Sequence, residues 1–205
     1  MTKTVDPWNE RYGGADYYYG VEPNDFLREH AAAIRPGGRV LCLAEGEGRN
    51  AVHLARQGLD VTAVDGSQAG LDKLARLAAE RGVKAAAVRA DLADYRIEPG
   101  FWDAIVSIWC HVPEELRRTL HRDCVAGLKP GGVFILEAYR PAQIGRGAGG
   151  PQNPALMPTA EALRRELDGL SFEIRRELDR DVQEGRGHGG SSAVVQVLAR
   201  KGVSS

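Results

Sequence analysis

Apolar and polar positions along the chain alternate between two rhythms. Short runs rich in aliphatic and β-branched residues, Arg39–Ala44, Asp60–Val64, Ala85–Arg89, Phe101–Ile108 and Val133–Ala138, read as buried strands. Between them, Asn50–Gln57, Gln68–Arg81 and Pro113–Gly127 carry helical spacing, with Leu71, Leu74, Ala75 and Ala78 on one face. Strand and amphipathic helix in alternation predict helices wrapped over a mainly parallel sheet. Ahead of this core, Asn24 is placed to cap a helix running to about Ile34, while Trp8 to Gly20 is aromatic and irregular. Behind it, Gly145–Pro158 reads as a loop and Thr159–Leu167 as a helix. Two last strands, Phe172–Asp179 and Ala193–Ala199, are joined by the glycine-rich turn EGRGHGGSS. The pattern predicts a single α/β domain over residues 1–205, a doubly wound seven-stranded sheet, mostly parallel with an antiparallel C-terminal hairpin strand.

Composition narrows the function. Hydrophobic residues make up 43% and charged residues 27%, which is ordinary for a folded globular chain. With 27 basic and 28 acidic residues the formal charge is −1, so no overall electrostatic case for nucleic acid or an anionic membrane exists. Three cysteines, Cys42, Cys110 and Cys124, form no CxxC pair and suit a reducing compartment. Met1 to Glu10 lacks an apolar leader and no apolar run approaches about 18 residues, so a cytoplasmic protein is expected. The sequence is silent on oligomeric state.

The chemistry begins at RVLCLAEGEGRN, where a strand runs into two glycines flanking a glutamate. Glycines after a buried strand let the chain turn tightly, and the following helix aims unpaired N–H groups at a ligand. Gly46, Gly48 and Ala51 satisfy GxGxxG/A, and Asp65 follows about 20 residues on, as in dinucleotide sites. A nicotinamide-dependent oxidoreductase is therefore one reading. Glu45 and Glu47, however, would repel a pyrophosphate and suit a cationic ligand. S-adenosyl-L-methionine carries an ammonium and a sulfonium but no phosphate. Asp65 ends LDVTAVD, placed to accept from a ribose diol, with Gly66 and Ser67 leaving the backbone around it open. Asp91 ends VKAAAVRAD, placed to accept from an adenine amino group beside the Leu92 amide.

Together, LCLAEGEGRN, VTAVDGS, VRADLADY, FWDAIVSIWCHVP and LKPGGVFILEAY resemble the class I S-adenosylmethionine-dependent methyltransferases over roughly residues 37 to 140. The entry WNERYGGADYYYGVEPNDFL and the exit EGRGHGGSSAVVQVLARK are similar to a bacterial group related to the TehB-type tellurite-resistance and thiopurine methyltransferases. The resemblance implies a Rossmann-like fold, S-adenosyl-L-methionine as cofactor, and an N-terminal lid within residues 1–36. It departs from the family at the first turn, where Glu45 stands in place of a common Asp and Asn50 in place of a third glycine. Glu45 keeps the charge, and Asn50 is expected to cap the helix.

In a doubly wound sheet the ligand lies beyond the carboxyl ends of the strands, so Trp109, Cys110, His111 and Val112 should face the reacting group. His111 is a candidate base and Trp109 a cofactor neighbour. Tyr19 is a candidate neighbour of the sulfonium, since cations are attracted to aromatic faces. His188, on the turn before the last strand, is by resemblance a candidate for holding the acceptor. No metal is expected, the histidines lacking HxH or HxxxH spacing. The expected reaction is methyl transfer to a small-molecule acceptor by direct displacement, with a non-catalytic cofactor-binding module as a further alternative.

Overall fold

A computed structural model describes residues 7–203, so the ends of the domain expected over 1–205 lie outside the described residues. Seven strands form one sheet: β1 (Arg39–Leu43), β2 (Asp60–Asp65), β3 (Ala86–Arg89), β4 (Trp102–Ile108), β5 (Leu128–Tyr139), β6 (Leu170–Glu184) and β7 (His188–Lys201). Their order is β3-β2-β1-β4-β5-β7-β6. The first five run parallel, and β7 is inserted antiparallel between β5 and β6. The expected doubly wound, mostly parallel sheet with an antiparallel terminal hairpin is what the chain forms.

The central strands read as unbroken apolar runs because both faces are covered. Every residue of β4 is buried, as are four of the five in β1. One face packs Val40, Cys42, Val61 and Ala63 against α2 (Asp25–His30), α3 (Arg49–Arg56) and α4 (Gln68–Glu80). The other packs Leu41, Leu43, Ile105 and Phe134 against α5 (Glu114–Gly127) and α6 (Ala160–Glu166).

Three local expectations change. The hairpin strands extend to the pair Glu184↔His188, well past the predicted ends, because ladder bonds continue where apolar alternation stops. His188 is accordingly the first residue of β7, not a turn residue, and is only 6% exposed. The N-terminal stretch is not wholly irregular: Pro7–Tyr12 is a helical turn, α1, fixed by Asn9, which accepts from Ser67 Oγ at 2.7 Å and from the Ala69 amide at 3.1 Å. Asn24 caps α2 as expected, accepting from the Leu27 amide at 3.0 Å.

Candidate functional site

Strand order reverses between β1 and β4, the place where a crevice opens beyond the strand ends in such sheets. Here it is a cavity of about 1080 Å³. The residues that follow these two strands, Ala44 at φ 49° and Trp109 at φ 57°, are the non-glycine residues with left-handed backbone among those described, and both line it. Such conformations persist where the surroundings fix them. Trp109 is held by its amide on the Glu137 carbonyl at 2.8 Å, by its indole N–H on Glu184 at 2.6 Å, and by a tilted ring contact with Tyr139 at 4.4 Å.

Three acids stand at successive strand ends on the cavity wall: Glu45 after β1, Asp65 ending β2, and Asp91 after β3. Glu45 accepts from the Ala51 amide at 2.7 Å, and burial, resisted by that bond and by Arg49, pushes its carboxyl up to about 7. Asp65 accepts from the Gly46 and Ser67 amides, each at 2.8 Å, which orients its carboxylate across the glycine turn. Exposed Asp91 closes its own turn on the Ala93 amide, with Leu92 beside it on the wall. Gly66 also lines the cavity, and a Cβ there would meet only the Ala90 carbonyl at 3.9 Å.

Other expected contacts are corrected. Gly46, Gly48 and Ser67 do not line the cavity. A Cβ on Gly46 would lie 2.7 Å from the Tyr12 hydroxyl, and one on Gly48 would lie 2.5 Å from Leu74, so side chains of this protein demand these glycines. Ser67 caps α4 through the Gly70 amide. Asn50 lines the cavity but does not cap α3. Gly48 holds the cap position, and the Asn50 side chain accepts from the Asn24 backbone amide at 2.9 Å, tying the N-terminal segment to the glycine turn. Glu47 is likewise turned toward that segment. It accepts from the Tyr18 and Tyr19 amides at 3.1 and 3.2 Å and is neutralised by Lys73 at 2.7 Å.

His111 lines the cavity, yet its expected role as a base fails on hydrogen-bond logic. The Tyr139 amide, a donor, lies 3.0 Å from Nε2, and the Trp109 carbonyl, an acceptor, lies 3.0 Å from Nδ1. The ring is therefore neutral with its proton on Nδ1 and its lone pair spent. Burial pushes it down to about 4. His111 clips the end of β4 to the end of β5. Cys110 is no nucleophile either, since burial pushes its thiol up to about 12.

Tyr19 and His188 do meet at the cavity, with ring centroids 4.5 Å apart, and His188 also contacts Trp109 at 4.7 Å. The Tyr19 hydroxyl accepts from Arg11 at 3.0 Å. Behind this wall lies a polar cluster that the sequence did not announce. Glu184 accepts from Arg49, from Asn24 Nδ2 at 2.8 Å and from Trp109, and faces His188 Nδ1 at 3.4 Å. Glu137, wholly buried, accepts from Arg180, Gln196 and the other proton of the Asn24 amide. Arg49 lies in the quoted motif, but nothing local marks Glu184, which is 135 positions away. Among the described residues no group of three or more His, Cys, Asp and Glu is arranged to hold a metal ion, and no helix is long and apolar enough to cross a membrane.

Comparison with known proteins agrees with this geometry. Residues 40–132 match a methyltransferase domain family. The chain is 33% identical to a cypemycin N-terminal methyltransferase of Streptomyces sp over 134 residues, 63% of this chain and 54% of that protein. It is 38% identical to a 23S rRNA uracil methyltransferase of Halomonas elongata over 93 residues, 37% of this chain and 19% of that one. The chain thus spans only part of the length of the relatives it matches. TehB from Haemophilus influenzae superposes with TM-score 0.72 at 19% identity, covering 95% of this chain and 65% of TehB. A protein whose structure is described under the conversion of a disulfide bond into a thioacetal group during echinomycin biosynthesis superposes equally well, TM-score 0.72 at 20% identity, covering 96% of this chain and 90% of that one. Residues 40–132 thus match a methyltransferase domain family, and the chain around them shares the fold of solved S-adenosylmethionine-dependent methyltransferases.

Proposed function

We propose that this protein transfers a methyl group from S-adenosyl-L-methionine to a small-molecule acceptor. The observation that carries the reading is the alignment of Glu45, Asp65 and Asp91 at three adjacent strand ends along one cavity wall. This donor set fits the cofactor: Glu45 toward the ammonium, Asp65 toward the ribose diol with Gly66 leaving space, and Asp91 with Leu92 toward the adenine. The same acids oppose a pyrophosphate. When bound, S-adenosylmethionine supplies a methyl group already activated by the sulfonium.

The chain's own task is alignment and exclusion of water. Tyr18, Tyr19 and Trp109 form aromatic walls, and the N-terminal segment is strapped across the turn by Glu47 and Asn50. At about 1080 Å³ the cavity lies at the top of the usual range of about 300–1,000 Å³ for small-molecule sites. Balanced charge supports a small molecule over nucleic acid. The test is calorimetric titration with S-adenosylmethionine and S-adenosylhomocysteine, with NADH as control. Micromolar binding that weakens about tenfold in Asp65→Ala, about 1.4 kcal/mol, is expected. Binding of NADH in place of both sulfur ligands overturns the reading.

A further inference from the structure

We propose that Glu184 is a positioning residue that holds His188 as a neutral base toward the cavity, and that the methyl acceptor is a protic nucleophile: an amine, a thiol or a hydroxyl. This rests on the methyl-transfer reading.

The argument begins with what surrounds Glu184. Arg49, the Trp109 indole N–H and the Asn24 Nδ2 amino group are donors only, and each points at this carboxylate. A side chain buried to 5% exposure among donors alone stays ionised and can only accept. Burial would raise its pKa, yet His188 and Arg49 hold it well below the usual carboxylate range. His188 Nδ1, 3.4 Å from Oε2, must therefore carry the ring proton. In the neutral ring Nε2 keeps a lone pair. His111 has the same tautomer, but there the Tyr139 amide consumes Nε2. Of the two cavity histidines, only His188 retains a nitrogen that can take a proton.

Position and charge agree with that use. The His188 ring sits among Tyr19, Trp109 and Tyr139, at centroid distances of 4.5, 4.7 and 5.3 Å, which fixes its direction. Burial disfavours the imidazolium, as do Arg49 and Arg11, while Glu184 favours it. The ring is thus neutral at rest, and a positive charge formed on it faces a carboxylate and three aromatic rings. The step balances: as the acceptor's lone pair forms the bond to carbon, the carbon–sulfur pair leaves with sulfur, and the acceptor's proton passes to Nε2. An acceptor that arrives as a bare lone pair, such as tellurite, has no use for this arrangement.

The test is nitrogen-15 NMR of the five histidines in the full chain, without cofactor, with His188 assigned by His188→Asn. Wild type is expected to show His188 neutral at pH 7 with Nδ1 protonated and Nε2 bare. In Glu184→Gln its proton affinity should fall about tenfold or more, the loss of one adjacent charge. A proton on Nε2 in the wild type overturns the assignment. Unchanged proton affinity in a folded Glu184→Gln overturns the positioning role. With labelled S-adenosylmethionine, transfer to a thiol or peptide-amine probe that disappears in His188→Asn supports the acceptor class, whereas transfer to tellurite with none to either probe overturns it. Since the NMR result requires no cofactor, failure of the dyad and failure of methyl transfer are read separately.

Discussion

Glu47, at the centre of the glycine turn, accepts the backbone amide of Tyr18 at 3.1 Å. The carboxylate expected to meet a ligand instead docks the aromatic entry segment onto the turn, and Lys73, 7% exposed, balances its charge. Removing one member of a buried pair costs about 3–5 kcal/mol, because the other charge is left uncompensated. Glu47→Gln should therefore lower stability in urea unfolding by about that amount and release the segment around Gly13 and Gly14 to protease. Cleavage there no faster than in the wild type would show that other contacts hold the segment.

If Glu45 faces the cofactor's ammonium as proposed, cofactor binding should depend on pH. Its carboxyl is raised to about 7, so in the free protein it is largely protonated below that pH. An ammonium ligand favours the ionised form. Affinity for S-adenosylmethionine should therefore rise with pH, by up to about tenfold per unit below 7, and level off above it. Without ligand the sign reverses: a raised carboxyl favours the fold below about 4.5, and that contribution is lost as pH rises through 7. Calorimetry between pH 6 and 8 checks this, and Glu45→Gln should flatten the binding profile.

Gly48 and Gly58 separate backbone strain from crowding. Both have positive φ, 93° and 82°, but a Cβ on Gly58 meets nothing within 4 Å while one on Gly48 enters Leu74. Gly58→Ala should cost about 1 kcal/mol through the backbone alone. Gly48→Ala should cost about 3 kcal/mol or more, because overpacking is added. Thermal unfolding of the two variants measures the difference.

The central fold was legible because β1, β2 and β4 are largely buried on both faces, so their apolar runs declare them, and because Glu45 and Asp65 at strand ends sit beside turn glycines. Side-chain direction was not legible. Whether Asn50 caps α3 or reaches Asn24 depends on where the N-terminal segment lies, which no local pattern encodes. The Arg49–Glu184 contact needs the antiparallel hairpin to deliver β6 to the floor of the site. The polar hairpin residues 180–183 fall outside the predicted strand, and Glu184 inside the predicted turn, because their ladder partners, not their own periodicity, keep them extended.

His111 gives the last prediction, because its role as a clip and its expected role as a base differ in pH behaviour. Its folded pKa is about 4, against about 6.5 for an ordinary histidine. Between these values the unfolded chain binds a proton that the folded chain does not, so stability is highest above pH 6.5 and falls as pH drops toward 4. A shift of this size is worth about 3 kcal/mol at full extent. Burial lowers His121 and His188 in the same direction, which steepens the slope. His111→Ala removes its share of that slope but leaves the buried Tyr139 amide without an acceptor, at a cost of about 1–3 kcal/mol at neutral pH. Urea unfolding of both proteins at pH 5 and pH 7.5 decides the matter: the variant should be less stable at pH 7.5, with the gap narrowing at pH 5. A gap that stays constant would mean that His111 titrates normally in the folded protein, leaving it available as a base.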